Sequence, residues 1–153
     1  MESRSASARL RLGRHSGAHH IYLVTTVTRE RNPAFSRFEC SRLLIQNMHI
    51  LECSGHVPSL AFVVMPDHLH WLFRLYPGYR LESVLQRLKG RSAVAINRLQ
   101  GSRGAFWQDG YHDHALRKDA DMLAIARYIV MNPVRAGLVR SVREYPHWDA
   151  VWL

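Results

Sequence analysis

Residues 60–75, LAFVVMPDHLHWLFRL, constrain the fold more tightly than any other stretch of the chain. Two apolar, strand-like runs, 61–65 and 69–75, are joined by Met65-Pro66-Asp67, and together they read as a hairpin. Strand side chains alternate faces with a period of two. His68, His70 and Leu72 therefore share one face, while Leu69, Trp71 and Phe73 share the other. At about 3.3 Å of rise per residue the two imidazoles stand roughly 7 Å apart along the strand and can turn onto one ion. Histidines on opposite faces could not do so.

Flanking segments supply the rest of the architecture. Residues 21–28, IYLVTTVT, are β-branched and aromatic and predict a first strand. Residues 39–52 carry Leu43, Leu44, Met48 and Leu51 at helical spacing. Residues 81–99 predict a second helix with Leu81, Val84, Leu85, Leu88, Ala95 and Leu99 as its buried stripe. His112, His114 and Leu116 alternate as a short strand would show them. Asp119 or Asp121 can cap a last helix running to about Met131, which Asn132-Pro133 closes because a residue before proline is pushed out of the α region. The tail, 134–153, reads as basic and aromatic with no element of its own. The order β-α-β-β-α-β-α predicts an α+β fold, a ferredoxin-like sandwich with an antiparallel sheet and helices on one face.

A chain of 153 residues fits one domain, expected over 21–153. Residues 1–20 carry Arg4, Arg9, Arg11 and Arg14, and read either as a flexible tail or as a basic arm that tracks a phosphate backbone. No apolar run approaches the roughly 18 residues needed to cross a bilayer, and the N-terminus lacks the apolar core of a secretory signal. The expected location is the cytoplasm, in association with the nucleoid. Cys40 and Cys53 share no metal-like spacing and are expected to be free thiols. The formal net charge is +9, and all but Lys89 and Lys118 of the 21 basic side chains are arginine. Arginine's planar fork matches phosphate bidentately, which favours a nucleic-acid partner.

Tyr128 and Asn132 are four residues apart and lie on one face of a helix. If that face packs over the His68/His70 strand, Asn132 supplies an oxygen ligand and Tyr128 a nucleophile. Two imidazoles and an amide oxygen, with positions left open, suit Mg²⁺ or Mn²⁺ better than a closed tetrahedral zinc site. The chemistry would be phosphoryl transfer through a covalent phosphotyrosine. Free tyrosine has a pKa of about 10, so it would need a nearby cation or base. Plainer readings stand beside these: a helical tyrosine packing on the core, and an asparagine chosen for backbone reasons before Pro133. Arg14, Arg87, Arg91 and Arg135 are candidate phosphate contacts. Trp107 and Tyr111 could stack on unpaired bases or fill the core, and His112 and His114 could touch DNA or lie in the core.

The segment Val64-Met65-Pro66-Asp67-His68-Leu69-His70 resembles the HUH motif of single-tyrosine transposases. Residues 128–139, YIVMNPVRAGLV, resemble the tyrosine segment of the REP-associated (RAYT) branch, relatives of the IS200-like insertion-sequence transposases. Residues 107–114, WQDGYHDH, and 22–25, YLVT, resemble that branch as well, so the likeness runs from about residue 13 to 148. It implies a ferredoxin-like fold, Tyr128 as nucleophile, His68 and His70 as metal ligands and Asn132 as the third, where insertion-sequence relatives carry glutamine. It also implies a divalent ion, Mg²⁺ or Mn²⁺, and single-stranded or hairpin DNA as partner. Asp67 departs from the asparagine common before the first histidine, and Val130 from the histidine common after the tyrosine. Insertion-sequence relatives share helices between subunits, whereas the longer tail here would let one chain complete its own site; monomer and homodimer both stay open. Two rival readings remain: a domesticated hairpin DNA- or RNA-binding module without catalysis, and a metal-dependent ribonuclease.

Overall fold

The computed structural model describes residues 20–55 and 57–152. Arg14 and almost all of the predicted basic arm lie outside these residues. Five strands build one sheet: β1 (His20–Val27), β2 (Ser59–Met65), β3 (His68–Leu75), β4 (His112–Ala115) and β5 (Trp148–Ala150). Their order is β4-β1-β3-β2-β5, and every neighbouring pair is antiparallel. The first four strands in the order 4-1-3-2 are those of the ferredoxin-like sandwich.

The β2–β3 hairpin is the centre of this sheet, with Met65 paired to His68 across a two-residue turn. Its turn carbonyls are not left to solvent. The Thr28 amide donates to Asp67 O at 2.9 Å and the Phe35 amide to Pro66 O at 3.0 Å. The chain leaving β1 therefore clasps the turn that precedes the histidines.

Two long helices cover one face: α1 (Phe38–Cys53) and α2 (Leu81–Gln100). Cys40, Leu44, Met48 and Leu51 from α1 meet Leu81, Val84, Leu85, Leu88 and Ile96 from α2 over Tyr22, Val24, Leu69, Trp71 and Phe73. The buried stripe of α2 differs from expectation at its end. It runs through Ser92 and Ile96, and Leu99 is 40% exposed. Ser92 is tolerated inside because its hydroxyl donates to Leu88 O at 2.6 Å and accepts from Trp107 Nε1 at 3.0 Å.

The opposite face receives α3 (Met122–Val130), capped by Asp121, whose carboxylate accepts from the Ala124 amide at 3.0 Å. Helices thus lie on both faces, not on one as the element order predicts. Ala126, Ile129 and Val130 pack on Ala61, Val63, Met65 and Leu72. The sequence closes the last predicted helix at Asn132-Pro133, with a short basic and aromatic tail after it. Instead, after a break at Met131, Asn132–Arg135 form a separate one-turn helix, α4, with Pro133 in its first turn, where a missing N–H is harmless. β5 has no counterpart among the predicted elements, because three residues are too few for an alternation to register.

Ile129 is 2% exposed and anchors α3 to the sheet. Ile129→Ala is expected to cost about 2–5 kcal/mol, a fall of roughly 10 °C in thermal midpoint, read by circular dichroism.

Candidate active site

His68 and His70 stand side by side on β3 with ring centroids 4.7 Å apart and planes nearly perpendicular, at 83°. Each ring has one nitrogen already engaged. His68 Nδ1 lies 2.6 Å from Asp67 Oδ1, and since a carboxylate only accepts, this nitrogen carries the proton. His70 Nδ1 lies 2.8 Å from the Thr25 hydroxyl, which can accept in the same way. Both Nε2 atoms are then left with lone pairs to offer, the arrangement by which outer partners orient metal-binding histidines.

For His70, electrostatics favour the same state. Burial, then the neighbouring His68 and the positive charge of Arg135, lower the pKa of His70 to about 4, so its ring is neutral near pH 7. Burial alone would raise the pKa of Asp67, but its hydrogen bonds to His68 and Arg31 and their charges outweigh that and hold the carboxyl below its usual range. Its second oxygen meets Arg31 Nη1 at 3.3 Å. The carboxylate that departs from the family pattern thus orients His68 with one oxygen and an arginine with the other. Glu30 and Arg31 both adopt left-handed backbone, φ 56° and 55°, at the turn that carries this arginine. Such strain in residues other than glycine concentrates at functional sites.

Tyr128 does not pack on the core. It is 66% exposed, on the side of α3 opposite Ala126, Ile129 and Val130. The Arg135 guanidinium lies over its ring, 3.8 Å from the centroid, and Nη2 donates to Tyr128 O at 2.7 Å. The charge of Arg135 also bears on His70, and α3, which carries Tyr128, packs on the sheet face that bears the histidines. Asn132 Nδ2 donates to Ile129 O at 2.8 Å. A carbonyl can only accept, so the amide orientation is fixed and Oδ1 is the atom left available. Among the described residues no group of three or more His, Cys, Asp or Glu converges on one point. A divalent ion would have to be held by the two Nε2 atoms and an amide oxygen, and that donor set fits a hard cation with open positions.

The other candidates separate. His112 and His114 are exposed on β4, and His112 is paired with Thr25, itself paired with His70. Both share the histidine face; His112 is two strand spacings, about 10 Å, from His70, and His114 lies two residues further along β4, in register with Leu72. Arg87 and Arg91 line the solvent side of α2, across the sheet from Tyr128. Trp107 is not a base-stacking platform: it is 6% exposed, its ring held between Phe35 and Phe106 and its Nε1 on Ser92. Tyr111 is half-buried against the same core. Thr25, Asp67 and Arg31 are the contributors that sequence reasoning did not assign. Asp67 stands out in the sequence only as a departure, and Thr25 becomes visible only once β1 is set in register with β3.

A ferredoxin-like sheet with a His-x-His strand and an outward-facing helical tyrosine on the same side defines the single-tyrosine transposase class. The chain belongs to the IS200-like transposase family, whose model, described as "Transposase IS200 like", matches residues 17–132. It is 31% identical over 87 residues to the REP-associated tyrosine transposase of Escherichia coli K12, covering 56% of this chain and 50% of that protein. A Haemophilus influenzae protein that carries the same name provisionally is 27% identical over 104 residues, covering 60% and 59% respectively. The chain thus spans about half to three fifths of the length of these curated relatives. Among solved structures, a REP-associated tyrosine transposase bound to a REP hairpin shares the fold with a TM-score of 0.67, at 23% identity, over 88% of this chain and 79% of that one.

His70 is harder to protonate in the folded chain than in the unfolded one. As pH falls, the unfolded chain takes up that proton first, so the contribution of His70 to stability is full above about pH 6.5 and is lost toward about pH 4. Urea denaturation of metal-free protein across that window is expected to show declining stability, with a flatter slope for His70→Gln.

Proposed function

We propose that this chain is a metal-dependent single-tyrosine DNA endonuclease and strand transferase that cleaves and rejoins single-stranded or hairpin, REP-like DNA. The observation that carries the reading is the pairing of two histidines, each with Nε2 free and Nδ1 engaged, with an exposed tyrosine on the helix that packs on the same sheet face. Tyr128 is the nucleophile. Its oxygen forms a bond to the scissile phosphorus as the bond to the departing sugar oxygen breaks, and that oxygen leaves as a hydroxyl after taking up a proton. The resulting phosphotyrosine retains the energy of the cut linkage, so a second strand's hydroxyl can reverse the step and be joined. His68, His70 and Asn132 are the residues that would hold Mg²⁺ or Mn²⁺. When bound, the ion polarises the phosphate and eases loss of the phenolic proton.

Hairpin DNA as substrate draws support from the solved relative bound to a REP hairpin, and from the net charge of +9. Tyr128 and both histidines come from one chain, with α3 packed on the β2 strand of its own sheet. Among the described residues no helix is long and apolar enough to cross a membrane.

The test is a denaturing gel of end-labelled hairpin DNA with single-stranded flanks, run with Mn²⁺ or with EDTA. A labelled band shifted by the mass of the protein, dependent on both Mn²⁺ and Tyr128, is expected. Tyr128→Phe should lose the band and keep hairpin binding on a native gel. His68→Ala and His70→Ala should each abolish cleavage, with excess Mn²⁺ failing to restore it fully. Asp67→Ala and Thr25→Val should reduce it about 10–100-fold, as loss of an outer-shell partner does. Native-gel binding without any adduct on several hairpins would replace this reading with a non-catalytic hairpin-binding module, and cleavage of RNA alone with a ribonuclease.

A further inference from the structure

We propose that Arg135 is a positioning residue for Tyr128, holding the phenol ring in its attacking orientation by stacking on it. The inference rests on Tyr128 being the nucleophile and adds a role distinct from phosphate contact. Tyr128 projects from the solvent side of α3, and none of the buried residues of that helix's core-facing side encloses its ring. A side chain in that position is free to move between staggered rotamers. In-line attack on phosphorus requires the reacting oxygen to be held within a fraction of an ångström, so something outside the core has to fix the ring.

Arg135 has the geometry for that task. Its guanidinium carbon is 3.8 Å from the Tyr128 ring centroid, well inside the roughly 6 Å limit of a cation–π contact. The guanidinium is itself anchored: Nη2 donates to the carbonyl of Tyr128, the residue whose ring it covers. That carbonyl lies in the last turn of α3, where no further helical amide reaches it and where a cation is favoured by the helix dipole. Helical side chains lean toward the N-terminus of their helix, so from α4 Arg135 reaches back over α3. Asn132, at the start of the same turn, ties to the Ile129 carbonyl and fixes α4 against α3. One guanidinium therefore makes the carbonyl bond through Nη2 while its carbon sits over the ring. A lysine ammonium offers charge at the same place but no flat face to stack.

Two measurements on the full chain test this. In the DNA-free protein, ring current from Tyr128 should shift the Arg135 δ-methylene protons upfield, and Tyr128→Leu should remove the shift. Resonances at random-coil positions in the unsubstituted protein would overturn the stack regardless of activity. In single-turnover reactions with Mn²⁺ at saturating hairpin DNA, Arg135→Lys and Arg135→Gln should bind DNA within about threefold of the unsubstituted protein. Both should form the adduct about 10–100-fold more slowly, the size of effect that misplacing a reacting group produces. A normal rate for Arg135→Lys would overturn positioning in favour of charge alone. Equal losses of binding and rate would overturn it in favour of a phosphate contact. Absence of adduct from the unsubstituted protein would count against the proposed function, while the proton shifts would still decide the stack.

Discussion

The register between β1 and β3 is the constraint on which the rest of this molecule depends. It pairs Thr25 with His70 and Val27 with His68, so one strand's hydroxyl orients the other strand's imidazole at 2.8 Å. A slip of one residue would turn the apolar side chains of the slipped strand outward and send its polar ones into the packed face, since side chains alternate with a period of two. Two features oppose such a slip. Tyr22, Val24, Leu69, Trp71 and Phe73 must all point at α1 and α2 to be buried. The Pro66-Asp67 turn is also bonded through both carbonyls to the chain that leaves β1. The site's precision is thus a by-product of core burial on the other face.

The two faces of the sheet carry different loads. One is sealed by α1 and α2 and contributes most of the buried apolar surface. The other bears a smaller cluster, in which α3 sits on Ala61, Val63, Met65 and Leu72. Polar chemistry needs a rigid floor with an open side, and this division supplies both. His68 and His70 are rooted in a strand whose alternate residues are buried, yet their own rings face the less covered side. Asp67 and Arg31 extend the network to the rim, where strained backbone at Glu30 and Arg31 is held by neighbouring hydrogen bonds.

Much of this was legible in the sequence because period and punctuation agree. The hairpin, both long helices and the order of elements follow from alternation at 61–75 and helical spacing at 39–52 and 81–99. The shared face of His68 and His70 follows from the same alternation. The outcomes that differed have local physical causes. Leu99 leaves the predicted stripe because the helix face rotates toward Ser92 and Ile96, and a hydrogen-bonded serine is invisible to an apolar pattern. Trp107 goes inside because Ser92 offers its indole a partner 15 residues away in sequence, a pairing that no local window contains. Thr25 and Arg31 join the site through strand register and positive φ, neither of which residue type announces.

The segment from Tyr128 to Gly137 shows how folding and chemistry come to use the same atoms. A helix end leaves carbonyls without amide partners, and here two side chains supply them: Asn132 to Ile129 and Arg135 to Tyr128. Pro133 starts the next turn without an amide to satisfy, and Gly137, at φ 75°, ends it, with the Leu138 amide returning to Pro133 O at 2.9 Å. The backbone account of Asn132 and the ligand account therefore do not compete. Donating Nδ2 to a carbonyl is what leaves Oδ1 as the free atom, and an oxygen is what a hard cation takes. Arg135 follows the same logic, since the bond that caps α3 brings its guanidinium over the tyrosine ring. Changing either residue alters the helix end and the proposed site together, so the structural role and the proposed chemical one separate only in measurements that read the two independently.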